Sequence, residues 1–142
     1  MAREGVMRPA EMAWTGLRWL YGLFFFTTGI AIAVYVLFGI GGPPPPPTLA
    51  DAAFQDALHR SGFIDPLLTV SFLVGGGALA LRRTTPLGLV LLAPAVAVIA
   101  CDDILLANAA PVGVAVAAIW GLLALRVFGG FRGLWSYAPA KP

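Results

Sequence analysis

Two adjacent carboxylates, Asp102 and Asp103, stand near the end of a long apolar stretch and are the residues best suited to chemistry in this 142-residue chain. A carboxylate inside hydrocarbon costs a few kcal/mol and is retained mainly where it faces a neighbouring helix or water. Successive helical positions diverge by about 100°. One of the pair can therefore turn inward, to accept a proton or to hydrogen-bond a ligand such as a quinone head group, while the other meets the lipid headgroups. In the plainer reading both lie at the interface and simply end the segment. His59 and Arg60 form a second candidate pair. Imidazole changes charge near physiological pH, which makes His59 a candidate proton carrier. A contact between Arg60 and an Asp would pin its helix over the mouth of a bundle. A solvated polar face is the plainer reading here too.

Other chemistry is excluded by residue type. One cysteine, Cys101, rules out an intramolecular disulfide, and a lone histidine about forty residues away makes no metal-ligand spacing with it. The chain contains no Walker motif, GxGxxG, CxxC, GxSxG or HExxH, and no paired histidines for haem. No catalytic residue and no metal ligand are assigned, and nothing builds a self-sufficient active site.

The elements that must position the candidates follow from composition. Apolar residues make up 59% and charged residues 11%, and mean hydropathy is +0.87. That leaves too little polar surface to coat a soluble globule. The net charge of +2 forms no basic stripe, so nucleic acid is not a partner. The chain reads as an all-α integral membrane four-helix bundle, with spans at about 17–40, 64–81, 87–107 and 111–128. The first is too long for a signal-peptide core and is expected to be retained. Five prolines at 43–47 make a stiff polyproline arm after it. Residues 48–61 then form a short amphipathic helix on the outer surface. Thr48 and Asp51 start it as a capping box, and Gly62 ends it. On its wheel Asp51, Gln55, Asp56, His59 and Arg60 share one half, and Ala50, Ala53, Phe54, Ala57 and Leu58 the other.

Charge gives the direction. Four spans put Arg3, Arg8, Arg18, Arg82, Arg83, Arg126, Arg132 and Lys141 on one side, eight of the nine basic residues. Asp51, Asp56, Asp65, Asp102 and Asp103 fall on the other with Arg60. The positive-inside rule then places both termini in the cytoplasm of a cell inner membrane, and Trp14, Trp19 and Trp135 in the inner aromatic belt. Arg18 and Arg126 near that boundary snorkel or, turned inward, hold an anionic group. Helices in lipid associate through small residues. The expected packing rows are Gly113, Ala117 and Gly121, then Ala93 and Ala97, then Gly29 and Ala33. Gly75, Gly76 and Gly77 are the expected point of closest approach.

Taken together, RWLYGLF at 18–24, the mid-helix Gly29, FQDALHRSGFIDPL at 54–67, the Gly-rich stretch 73–81, RRTTPLGLVLLAPAVAVI at 82–99 and a last helix ending at Arg126 resemble the DoxX-like family of small four-helix bacterial membrane proteins. The pattern covers about 17–132. Members often carry a Glu a turn before the second-helix glycines, where this chain has Ser71 and Phe72. Many carry an aromatic-His pair where Asp102 and Asp103 stand. The resemblance implies a non-catalytic membrane subunit or scaffold, associated with a redox or envelope complex through protein partners or as a homo-oligomer. A quinone-linked oxidoreductase membrane subunit is the alternative, with quinone as its cofactor and Asp102 or Asp103 handling the proton. A small transporter is the third. That reading calls for inverted repeats and discontinuous spans, and Pro94 is the one mid-span breaker.

Overall fold

A computed structural model describes residues 9–135, with side chains through Phe131. The expectations resting on Arg3, Arg8 and Lys141, and on the side chains of Arg132 and Trp135, lie outside the described residues. The described chain is all α: α1 Pro9–Phe38, α2 Leu49–Arg60, α3 Ile64–Ala80, α4 Thr85–Leu105, α5 Ala110–Arg126 and α6 Phe128–Trp135. Two of these, α1 and α4, are long and apolar enough to cross a membrane. Helices α3 and α5 are apolar and have 17 residues each. At 1.5 Å per residue that is about 25 Å, a little under the hydrocarbon thickness.

The helix limits have local causes. α1 is described from Pro9, eight residues before the expected span. Gly39, at φ 67°, closes it with an N–H to Tyr35 O at 2.9 Å. Within α1 the hydroxyls of Thr27 and Thr28 donate back to the carbonyls of Leu23 and Phe24, so neither is left unpaired on an apolar helix. Pro86 opens α4, and Pro94 stands in its interior without breaking it. Asn108, at φ 53°, turns the chain into α5. A further helix, α6, lies beyond the expected spans, separated from α5 by a break at Val127.

Packing is organised by α3, which lies between α1 and α4. Its adjacent glycines serve opposite neighbours, as the divergence of successive helical positions requires. A Cβ on Gly76 would stand 2.8 Å from Gly22 O and 2.7 Å from Phe26 N, both on α1. A Cβ on Gly88 of α4 would stand 2.7 Å from Gly75 O. Gly22 and Gly88, which no expected row contained, are thus the partners of Gly76 and Gly75. Gly113 is equally tight, with Ala100 O 2.9 Å from its would-be Cβ. Two expected contacts are corrected. Gly77 has Phe26 ring atoms no nearer than 3.8 Å, and Gly121 has nothing within 4 Å among the described residues. Both lie off the faces that α3 and α5 turn to their neighbours. Ala117 is half-buried, and Ala97 is exposed because α4 turns Leu92, Ala95 and Val96 inward instead.

Tyr21, Phe25, Phe72, Leu79, Leu89, Leu92 and Leu123 form the core. Phe25 stacks edge-on against Tyr21, at 4.9 Å between centroids, and against Phe72, at 5.1 Å. Polar ties cross the bundle: Tyr21 OH donates to Val116 O at 3.0 Å, and Trp120 Nε1 to Leu89 O at 2.9 Å. Such bonds hold helices where no hydrophobic gradient drives them together. Leu20, Leu37, Leu105 and Leu125 point outward, as a lipid-facing surface requires.

Candidate functional site

Helices α2 and α3 meet at 92°, so α2 lies across the end of the bundle. Thr48 caps it in extended backbone, its hydroxyl accepting from Asp51 N at 3.1 Å. Gly62, at φ 73°, makes the corner. The inward stripe of α2 is Asp51, Phe54, Gln55 and Leu58, at i, i+3, i+4 and i+7. This corrects the expected division into polar and apolar halves. Ala50, Ala53 and Ala57 are exposed, and Asp51, placed on the solvated half, is 1% exposed.

Two groups of polar side chains result. The first joins α2 to the end of α4. Thr48 Oγ1 donates to Leu106 O at 2.6 Å, and Gln55 Nε2 donates to Asp51 Oδ1 at 2.7 Å. The Asp102 carboxyl lies within hydrogen-bond reach of Asp51, and its Oδ1 is buried with no donor among the described residues. A donor arises between these two carboxyls only when one carries a proton. Asp103 diverges from Asp102 and packs its Cβ toward Gly113 of α5. Both backbone carbonyls cap the helix: Asp102 O accepts from Leu106 N and Ala107 N, and Asp103 O from Ala109 N. Beside Asp102, with Phe54, Cys101 and Leu106, is a shallow hollow of about 310 Å³.

The second group is His59 and Asp65, which face each other across the α2–α3 corner with Nδ1 and Oδ2 2.7 Å apart. A carboxylate accepts only, so the contact places a proton on Nδ1 and leaves Nε2 as the ring atom open to a ligand. The Tyr35 ring stands edge-on to the imidazole, with centroids 6.2 Å apart. Arg60 does not reach the Asp pair. Its guanidinium bonds Asp56 one turn back on the exposed face of α2, so the tie between α2 and α4 is made by Thr48 instead.

His59, Asp65 and Gln55 stand at the polar end of a cavity of about 620 Å³ between α1, α2, α3 and the proline arm. Its walls are apolar: Ala31, Ile32 and Tyr35 of α1, Leu58, Leu68, and Pro43 and Pro44. Gly42, at φ 142°, brings the arm against the Tyr35 ring, where a Cβ would stand 3.5 Å from it. A volume within about 300–1,000 Å³ and a few converging polar groups on an apolar lining are the features of a small-ligand site. Asp65 and Tyr35 were not among the candidates read from sequence. The available signal was the carboxylate six residues after His59, just past a helix-stopping glycine. Asp102 and Asp103 do not line this cavity.

No family model matches the chain, and neither does any curated protein or solved structure.

Proposed function

We propose that the chain is a non-catalytic integral membrane subunit of the DoxX-like type, which holds an amphiphilic ligand of the quinone or lipid class at its outer end. In this reading α1, α3, α4 and α5 each cross the bilayer, α2 lies on the outer surface, and both termini face the cytoplasm. The short α3 and α5 span by virtue of the polar turns that flank them and modest thinning of the bilayer around the bundle. The observation that carries the reading is the apolar cavity ending at His59 and Asp65. Its lining suits an isoprenoid or acyl tail, Nε2 of His59 suits a hydroxyl on the head group, and the Gln55 amide N–H suits a carbonyl. A protein partner in a redox or envelope complex would use the ligand so positioned.

A second reading makes the protein the membrane subunit of a quinone-linked oxidoreductase. The His59–Asp65 pair favours it, because an imidazole whose Nδ1–H is held by a carboxylate can take a proton at Nε2 from a bound quinol head group and return it. A bound quinone would supply two-electron, two-proton chemistry, and the electrons would come from the partner. Proton handling falls to His59 here rather than to Asp102 or Asp103, since His59 is the one at the cavity.

The test is direct binding of a short-chain quinone and of a phospholipid to the detergent-purified chain, alongside mild extraction to recover bound proteins. Saturable binding of either that weakens about tenfold in His59→Ala supports the reading. Absence of saturable binding overturns it. Quinone turnover in the recovered complex, lowered by His59→Ala, separates the second reading from the first.

A further inference from the structure

The end of the bundle opposite the His59–Asp65 cavity carries a different kind of hollow. Arg18 from the third turn of α1, Arg82 from the α3–α4 turn and Arg126 at the end of α5 converge on a cavity of about 320 Å³. Trp14 and Leu123 form an apolar wall, and Glu11 is the one acidic residue on it. Three positions so distant in sequence meet because α1 and α5 both pack against the α3–α4 region.

Two observations indicate a ligand. The guanidiniums have no carboxylate partner: among the described residues the ion pairs are Arg60 with Asp56 and His59 with Asp65. Arg82 is near enough for its charge to act on Arg18. Arg18 also holds an unspent donor. Its Nη1 donates to Thr85 Oγ1 at 3.2 Å, but its Nε is buried and has no acceptor among the described residues. Snorkelling to the headgroups would leave that nitrogen in water or among lipid oxygens. Instead it faces protein. An anion between the three side chains would supply the missing counter-charge and accept from their terminal N–H groups.

We propose that this hollow binds an anionic phosphate group through Arg18, Arg82 and Arg126. Guanidinium forks match the oxygens of a phosphate, and three of them from separate elements surround it where one alone would only neutralise it. The Trp14 and Leu123 wall suits the glycerol and first methylenes of a lipid carrying that phosphate, as in basic pockets between membrane helices. A soluble phosphate uses the same forks. The site shares no residue with the outer cavity, and the proposal does not depend on what that cavity holds.

The test follows thermal unfolding of the purified full chain in neutral detergent with phosphatidylcholine. Phosphatidylglycerol is titrated in one arm and inorganic phosphate in the other, against sodium chloride at matched ionic strength. A saturable rise in melting temperature with phosphatidylglycerol identifies a lipid headgroup, and the same rise with inorganic phosphate identifies a soluble anion. Either supports the proposal if Arg82→Gln/Arg126→Gln weakens the apparent affinity at least about tenfold. Arg18→Lys, which keeps the charge and loses the fork, is expected to weaken it by a similar factor, and it decides the matter should the double variant not fold. Absence of a rise with both probes, or an unchanged affinity in the variants, overturns it.

Discussion

Thr48 and Leu106 stand 58 positions apart, and the hydroxyl of the first donates to the carbonyl of the second across 2.6 Å. The same oxygen accepts the Asp51 amide at 3.1 Å. One side chain thus starts α2 and fastens it to the end of α4. Thr48→Val keeps the shape and loses both bonds. It should destabilise the protein by about 1–2 kcal/mol. The check is thermal unfolding in detergent, with faster amide exchange concentrated in α2. Unchanged exchange there would mean that α2 is held by something else.

Gly75 and Gly76 of α3 and their partners Gly88 and Gly22 should tolerate no side chain. Gly76→Ala sets a methyl 2.7 Å from Phe26 N, and Gly88→Ala sets one 2.7 Å from Gly75 O. The neighbours are backbone and cannot rotate away, so the helices must separate. Each change should cost roughly 1–3 kcal/mol. Gly121→Ala, with open space around it, should be neutral or slightly stabilising in helix propensity. Melting temperatures of the three variants in one detergent distinguish these outcomes.

Asp102→Asn should be stabilising. The buried Oδ1 of Asp102 has no donor among the described residues, and the group beside it is the Asp51 carboxyl. An amide at position 102 can donate to Asp51 whatever its charge, replacing a contact between two acceptors with a hydrogen bond worth about 1 kcal/mol. A melting temperature below that of the wild type at neutral pH would contradict this arrangement.

His59→Ala and Asp65→Asn should weaken ligand binding at the outer cavity about tenfold or less, the worth of one hydrogen bond to a head group. Asp102→Asn should leave binding unchanged, because Asp102 does not line the cavity. Equal losses in all three would return the chemistry to the Asp pair.

The four-crossing arrangement predicts that a cysteine placed at Ala2 or Ala140, in a Cys101→Ser background, reacts with an impermeant thiol reagent only from the cytoplasmic face. Cys101 must be removed because it is exposed.

Much of the fold was legible in the residues. Hydropathy and the proline and glycine punctuation located the five longer helices, because those properties act within one or two turns and need no distant partner. The helical residues Pro9 to Gly16 were not read as part of α1, since they are no uniform apolar run. The site was less legible. Asp51 and Gln55 sit on the wheel among exposed polar residues, yet the docking of α2 on α4 turns them inward. His59 was visible as a titratable group, but its partner Asp65 lies on the next helix and meets it only because the corner bends by 92°.

What the sequence alone determined is where helices run, where they stop and that their surfaces are apolar, all of which local chemistry dictates. Which glycine meets which, that Arg60 spends its charge on Asp56, and that Arg18, Arg82 and Arg126 share one hollow were decided by the tertiary structure. The physical reason is that helices with apolar residues on every face carry no stripe to announce their neighbours. Close backbone approach at Gly22–Gly76 and Gly75–Gly88 sets the rotation of each helix, and that rotation decides which polar side chains meet.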